Sequence, residues 1–407
     1  MTSESAVTAE RPRETAPVSA CPACGRVEPD SFLRIPELPV NCIALWNTRE
    51  AAVSCARGGI DLGFCDSCGA ISNQVFDQTR LQYDGTYDNS LHFSPTFQRY
   101  AEQLAARLVE RHDLRDKDVI DVGCGNGELL ALLCRLGNNR GVGFDPSFIP
   151  DRSDSTAGKG VTVIPDVYSE RYGHYAADLV VCRHVLEHIP EPRPFLRRVR
   201  AALDYRARTA VFFEVPNAAH VFQHGGVWDI IYEHCCYYTA PALERLFTAC
   251  GFDVLDVTEA FSGQYLCLEA RPSLNRAPPP AGDTGEPTAL REDALRFARS
   301  YEATLAEWNA RLRRLNAEGR RVAVWGAGAK GAMFLNAFRS ESGLDCIVDV
   351  NPHKWELHVP GTGQKVVRPD ALRQYRPEVV LVMNANYRDE IGRQLSDLGL
   401  SPELIAI

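Results

Sequence analysis

The sequence predicts an α/β protein of three parts: a small cysteine-rich N-terminal module, a central domain on a mostly parallel sheet, and a smaller C-terminal α/β domain. Three observations predict this. Short β-branched runs alternate with helical stretches in two separate regions, two CxxCG knuckles stand near the N-terminus, and a Pro/Gly-rich break at 276–283 divides the alternating regions. At 407 residues the chain also exceeds what one hydrophobic core organises.

Taken in order, residues 1–18 read as a flexible tail and 19–75 as a short, turn-rich module with too little apolar periodicity to fold unaided. The central domain spans 76–271. It enters through an amphipathic helix carrying Phe97, Tyr100, Leu104 and Leu108 at intervals of three or four. Strands follow at 119–122, 141–144, 161–164, 179–182 and 210–213, with helical stretches between them, and late strands at 252–257 and 264–269 close the domain, the last of them antiparallel. A linker occupies 272–287. Leu290, Leu295, Phe297, Tyr301, Leu305, Trp308, Leu312 and Leu315 then mark one long helix, 288–320, bridging two domains. Residues 321–407 repeat the strand-then-helix pattern as a smaller Rossmann-like unit.

Composition narrows the function classes. Hydrophobic residues make up 45% and charged residues 24%, as in soluble globular proteins. A net charge of -9 supplies no electrostatic footprint for a nucleic-acid backbone, so no nucleic-acid partner is expected. The first 20 residues carry no apolar signal core and no stretch is apolar enough to span a bilayer, so the expected setting is cytoplasmic, without a membrane partner and with reduced thiols.

The knuckles Cys21-Pro22-Ala23-Cys24-Gly25 and Cys65-Asp66-Ser67-Cys68-Gly69 bring four thiolates that suit a closed, tetrahedral, structural Zn2+ site. Cys42 and Cys55 are competing ligands, and a set of buried free thiols is the other reading.

In Val119-Ile120-Asp121-Val122-Gly123-Cys124-Gly125-Asn126-Gly127, glycines sit between a buried strand and a helical run, where backbone must turn sharply and approach a ligand. A tight strand-to-helix turn alone would also explain them. Asp145, ending the next strand, can accept hydrogen bonds from ribose hydroxyls, and the pair points to an adenosine-containing ligand. The loop lacks GxGxxG spacing, Asp166 follows the third strand, and His184-Val185-Leu186-Glu187-His188-Ile189 follows the fourth. This series resembles class I S-adenosylmethionine-dependent methyltransferases, whose successive strand ends surround the cofactor. The resemblance implies S-adenosylmethionine held by Asp121, Gly123, Gly125, Gly127, Asp145, Asp166 and His184.

Residues 228–239, Trp228-Asp229-Ile230-Ile231-Tyr232-Glu233-His234-Cys235-Cys236-Tyr237-Tyr238-Thr239, concentrate an acid, a base and phenols. Carbon methylation needs a proton removed beside an electron-withdrawing group, a task suited to His234 with Glu233 assisting, while phenols polarise a carbonyl. His184 points toward the same cleft if the sheet is wound in the usual order, and Tyr87 can cover the cofactor.

Together the CxxCG pair, the central domain, the Glu-His-aromatic segment and a C-terminal Gly326-Ala327-Gly328-Ala329-Lys330-Gly331 unit resemble the three-domain sugar C-methyltransferase family. That resemblance covers residues 20–407. It implies structural zinc, a histidine that abstracts the proton alpha to a sugar ketone, and roles for Tyr87, His184, Tyr232, Glu233 and His234. The chain has Tyr232-Glu233-His234 where sugar-specific members carry Tyr-His-Glu-His, and 384–390 lack the family's tryptophan. The expected activity is methyl transfer to carbon of a nucleotide-activated keto-deoxysugar, a small-molecule partner from natural-product biosynthesis. The rivals are an O-, N- or C-methyltransferase of a non-sugar intermediate and a scaffold with a vestigial core.

The C-terminal loop fits GxGxxG and is followed by Asp349, a dinucleotide fingerprint on its face. Its family counterpart is non-catalytic, and Lys330 at a helix start is placed to meet a substrate phosphate instead.

Overall fold

The structure is a computed structural model describing residues 20–26, 28–81, 90–149, 160–175, 177–203, 208–274, 287–341, 343–344 and 346–407. The tail, Tyr87 and most of the linker lie outside the described residues.

The N-terminal module is more regular than its sequence suggests. Strands β1 (Asp30–Pro39) and β2 (Arg57–Phe64) form an antiparallel hairpin around the short helix α1 (Arg49–Val53), and β3 (Ile71–Asn73) extends it. Register shifts between Ser31 and Leu33 and between Ile35 and Leu38 blur the alternation of apolar residues along β1, which hides the strand from periodicity. The sheet is completed by a strand from far along the chain, Cys236–Tyr237, paired to Ile71 and Ser72. The last strand of the module's sheet thus belongs to the segment expected to carry the chemistry.

The central domain begins with α2 (Pro95–Arg111), capped by the Ser94 hydroxyl accepting from the Phe97 amide, with Phe97, Ala101, Leu104 and Leu108 buried. Then come β4 (Asp118–Val122), α3 (Glu128–Gly137), β5 (Arg140–Phe144), β6 (Val161–Ile164), β7 (Leu179–Arg183), α4 (Pro192–Ala202), β8 (Ala210–Pro216), α5 (Ala218–Gln223), β9 (Cys236–Tyr237), α6 (Ala240–Ala249), β10 (Phe252–Ala260) and β11 (Tyr265–Pro272). Seven of these strands make one sheet, ordered β10-β11-β8-β7-β4-β5-β6, parallel from β8 to β6 and antiparallel at β10 and β11. The chain runs outward from β4 to β6, then crosses back to β7. That reversal opens a crevice at the carboxyl ends of β4 and β7, where ligands of open α/β sheets bind.

The long helix α7 (Pro287–Ala317) follows, then β12 (Val322–Trp325), α8 (Ala329–Ala337), β13 (Cys346–Val348), β14 (Val366–Val367), α9 (Leu372–Tyr375), β15 (Val379–Val382), α10 (Arg388–Asp397) and β16 (Glu403–Ala406). Their all-parallel sheet is ordered β14-β13-β12-β15-β16, the same winding as the parallel part of the central sheet. Helix α7 ties the ends of the molecule together: Arg291 pairs with Asp30 and Asp66 of the module, and Arg313 with Glu341 beyond α8.

One apolar cluster crosses all three parts. It joins Leu62 and Phe64 of the module, Trp228 and Ile231 of the central segment, Phe297 of α7, and Phe334 and Leu381 of the C-terminal domain. The Trp228 ring packs edge-on against Phe334 at 4.9 Å. Residues 228–239 are thereby pinned between the module on one side and the C-terminal domain on the other. Among the described residues no helix is long and apolar enough to cross a membrane.

Candidate functional site

The glycine loop after β4 has the geometry of a ligand cradle. Gly123, Gly125 and Gly127 take φ of 72°, 55° and 79°, a region that β-carbons disfavour. A side chain at Gly123 would run into Val185, whereas a Cβ at Gly125 would meet nothing within 4 Å, so the loop opens outward at its middle. Asp145, at the end of β5, accepts from the Gly125 amide at 2.8 Å and from the Ser147 amide at 2.8 Å. Asp121 is 3% exposed, and burial outweighs nearby Arg183 to push its carboxyl up to about 7. Asp166, beyond β6, takes the Tyr172 hydroxyl at 2.5 Å and pairs with Arg171. The acidic groups and glycines expected around an adenosine cofactor thus stand along the carboxyl edges of β4, β5 and β6, and the open middle of the loop fits such a group.

Next along the same edge, Arg183 at the end of β7 directs Nε and Nη2 to Glu214 Oε1 of β8 at 2.9 and 2.7 Å, and the Tyr100 hydroxyl reaches the other oxygen of Glu214. Burial opposes charge on Glu214, yet Arg183 and His184 hold it well below the usual carboxylate range. His184 adopts φ of 54°, which swings its ring under Tyr265 at 4.6 Å. Its Nε2 lies 2.9 Å from Glu214 Oε1, an ion contact out of line for a hydrogen bond. Burial lowers His184, but Glu187 and Glu214 outweigh it and lift it to about 9, so this imidazole is a charged donor at neutral pH.

The His234 ring lies 4.9 Å from that of His188 and nearly perpendicular to it. Burial, with His188 adding to it, drives His234 down to about 3, so the ring is neutral and has a lone pair to offer. His188 is lowered for the same first reason, and its Nδ1 lies 3.0 Å from the Glu233 carbonyl. Glu233 faces elsewhere. Its carboxylate accepts from the Cys42 and Ile43 amides at 2.6 and 3.3 Å, stitching the central segment to the module. Tyr232 is also turned to the module: it is 1% exposed, its ring fills the space over Gly58, and its hydroxyl accepts from the Asp77 amide at 3.0 Å.

Of the residues expected at the site, the structure places His184 at the end of β7, the strand beside β4 and its glycine loop, packs His234 against His188 of the turn that follows, and directs the side chains of Glu233 and Tyr232 into the module. Sequence reasoning passed over Glu187 and His188, although both stand in the quoted run after β7. The signal was the spacing, since His184, Glu187 and His188 lie three and four apart around one turn, here the 3-10 turn Leu186–His188.

The four knuckle sulfurs converge. Cys21 Sγ is 3.7 Å from Cys68 Sγ, Cys24 Sγ is 3.6 Å from Cys65 Sγ, and all four lie within 4.8 Å of one another. Zinc–sulfur bonds of about 2.3 Å in a tetrahedron imply sulfur separations of roughly 3.8 Å, so the set fits that ion. Cys42 is instead buried against Glu233 and Cys55 lies near Gly361, away from the cluster. Arg193 and Arg245 donate to the Cys24 and Cys68 carbonyls, fastening the knuckles to the central domain.

In the C-terminal loop, Asp349 Oδ2 accepts from the Ala327 amide at 2.8 Å and lies 3.4 Å from the buried Lys354 ammonium. Lys330 pairs with Asp229 at 3.0 Å, across to the central segment.

Comparison with known proteins follows this architecture. Residues 96–257 match a family described as a methyltransferase domain, and residues 290–400 match one described as a C-methyltransferase C-terminal domain. The chain is 27% identical over 310 residues, 72% of each protein, to the C-methyltransferase NovU of Streptomyces niveus. Over 96 residues, 22% of the chain and 39% of its relative, it is 34% identical to a ubiquinone biosynthesis O-methyltransferase of Proteus mirabilis. Among solved structures it resembles the 1,6-didemethyltoxoflavin-N1-methyltransferase of Burkholderia thailandensis, at 20% identity and a TM-score of 0.34, over 44% of the chain and 81% of that protein.

Proposed function

From a chain that belongs to the S-adenosylmethionine-dependent methyltransferases and carries a C-methyltransferase C-terminal domain, we propose an enzyme that methylates carbon alpha to the carbonyl of a nucleotide-activated keto-deoxysugar, or a similar keto substrate, in natural-product biosynthesis. The observation that carries this reading is the pair of half-buried, neutral imidazoles, His188 and His234, packed ring against ring where the turn after β7 meets residues 228–239. Transfer to oxygen of an already acidic hydroxyl has little use for such a pair, whereas transfer to carbon needs a group to draw off the α-proton.

S-adenosylmethionine, when bound, supplies an electrophilic methyl on a sulfonium. Gly123, Gly125 and Gly127 let backbone approach it, Asp145 and Asp166 suit its ribose and adenine, and buried Asp121 braces the loop. Charged His184, held between Glu187 and Glu214, favours negative charge developing on the substrate carbonyl. Among protein groups His234 takes the α-proton, with Glu233 holding the segment in register through its amide contacts and Tyr232 anchoring it to the module. Zinc on Cys21, Cys24, Cys65 and Cys68 keeps the module folded against this segment.

The test is incubation with labelled S-adenosylmethionine and nucleotide keto-sugars deuterated alpha to the ketone. The expected outcome is deuterium loss and a new carbon–methyl bond, both abolished in His234→Asn while S-adenosylhomocysteine affinity is kept. No exchange with any keto-sugar, or methyl found on oxygen or nitrogen, would overturn the reading.

A further inference from the structure

Glu187 is the group around the crevice that the steps above leave unused. It is 2% exposed on the turn leaving β7, and neither carboxylate oxygen has a hydrogen-bond partner among the described residues. Leaving a buried carboxylate without donors costs several kcal/mol unless a cation or a proton completes it. On one side the charged His184 imidazole, its Nδ1 3.5 Å from Glu187 Oε1, supplies part of that compensation, though the ring also serves Glu214. On the other side, a Glu187 oxygen, a His188 nitrogen and a His234 nitrogen all lie within 4.8 Å of one another.

We propose that Glu187, His188 and His234 hold a divalent cation whose remaining positions are taken by water and by the ketone oxygen of the substrate. Two imidazoles and one carboxylate with open positions are the donor set of reactive first-row divalent sites, distinct from the closed four-sulfur cluster of the module. The second shell agrees. His188 Nδ1 lies 3.0 Å from the Glu233 carbonyl, and this backbone contact is the kind that orients metal-ligating histidines. The ligands come from two elements tied to each other, the turn after β7 and residues 228–239, through His188 on the Glu233 carbonyl and Cys235 on the Glu187 carbonyl, and the latter segment is clamped by Glu233 on Cys42 and by Trp228 on Phe334. The site is preorganised by packing, and an ion draws in only the side-chain tips.

The proposal rests on the methyl-transfer reading and amends one step of it. With the cation in place His234 is a ligand, and the α-proton goes to a cation-bound hydroxide, which becomes water. The C–H electron pair forms the enolate double bond while the ketone oxygen, now anionic, stays on the cation. The enolate carbon then attacks the sulfonium methyl, the sulfur–methyl bond breaks, and S-adenosylhomocysteine leaves. A ketone flanked by a hydroxyl, able to chelate, is the substrate class such a site favours.

Cobalt(II) titration of the zinc-replete chain, followed by visible d–d absorption, tests this without substrate. The expected result is one equivalent bound with no thiolate-to-cobalt charge transfer, and affinity at least about tenfold weaker in both Glu187→Gln and His188→Gln. S-adenosylhomocysteine affinity, unchanged in both variants, reports that they fold. No uptake by the unaltered chain, uptake only with thiolate charge transfer, or full affinity in Glu187→Gln overturns the site. Cobalt uptake with no keto-sugar methylated would sink the substrate reading and leave the site standing.

Discussion

Two glycine loops follow the central strands of two sheets wound in the same order, β6-β5-β4-β7-β8 and β14-β13-β12-β15-β16, and each loop is clasped by an aspartate from the neighbouring strand. Asp145 accepts from the Gly125 amide at 2.8 Å, and Asp349 from the Ala327 amide at the same distance. Their differences lie one layer out. The first loop turns through three residues at positive φ and is open at Gly125, with charged His184 at the end of the neighbouring strand β7. In the second only Gly326 is at positive φ before the helix, a Cβ at Gly331 would overlap the Gly326 carbonyl, and Lys354 is buried against Asp349. An aspartate neutralised by an internal lysine has little left for a ribose. Topology is shared, and the charge inside each cleft sets what it can hold.

Substitutions placed in pairs sharpen this contrast. The largest effect belongs to Gly123→Ala: a Cβ at φ 72° overlapping Val185 displaces the loop, and we expect at least a hundredfold loss of S-adenosylhomocysteine affinity by calorimetry, or roughly 2.7 kcal/mol. Its counterpart Gly328→Ala, in ordinary backbone facing open space, should shift the urea midpoint by less than about 0.5 kcal/mol. Asp349→Asn strands the Lys354 ammonium inside the C-terminal domain. It should cost about 3 kcal/mol in urea denaturation with cofactor affinity unchanged. Asp145→Asn should do the reverse, weakening S-adenosylhomocysteine roughly tenfold, about 1.4 kcal/mol, with a smaller loss of stability. The smallest effect is Lys330→Ala. Its pair with Asp229 is partly exposed and worth about 0–1 kcal/mol, so a clear rise in substrate KM without a change in melting would mark Lys330 as a substrate contact.

Much of this was legible in the residues. The β-branched runs at 119–122, 179–182 and 379–382 lie in the centres of their sheets, where strands covered on both faces read as continuous apolar stretches. The CxxCG knuckles announced their four sulfurs by local spacing. What stayed hidden was non-local. Nothing near Ile71 says that its strand partner is Tyr237, and nothing beside Glu233 says that one oxygen of its carboxyl accepts from the amides of Cys42 and Ile43. Residue type and density mark Tyr232 and Glu233 as chemistry, while the structure turns their side chains to the seam between two parts of the molecule. Glu187 and His188 escaped for the opposite reason, since a Leu-Glu-His turn looks like an ordinary exit from a strand until His234 is folded against it.

Separate titrations of S-adenosylhomocysteine and of NAD into the intact chain, into Gly123→Ala and into Asp349→Asn test most directly that the first loop is the cofactor site and the second a closed copy of its topology. One equivalent of S-adenosylhomocysteine bound by the intact chain and by Asp349→Asn, lost in Gly123→Ala, with no NAD bound by any of the three, is the result the account predicts. S-adenosylhomocysteine held undiminished by Gly123→Ala, or NAD bound by the intact chain and lost in Asp349→Asn, would contradict it.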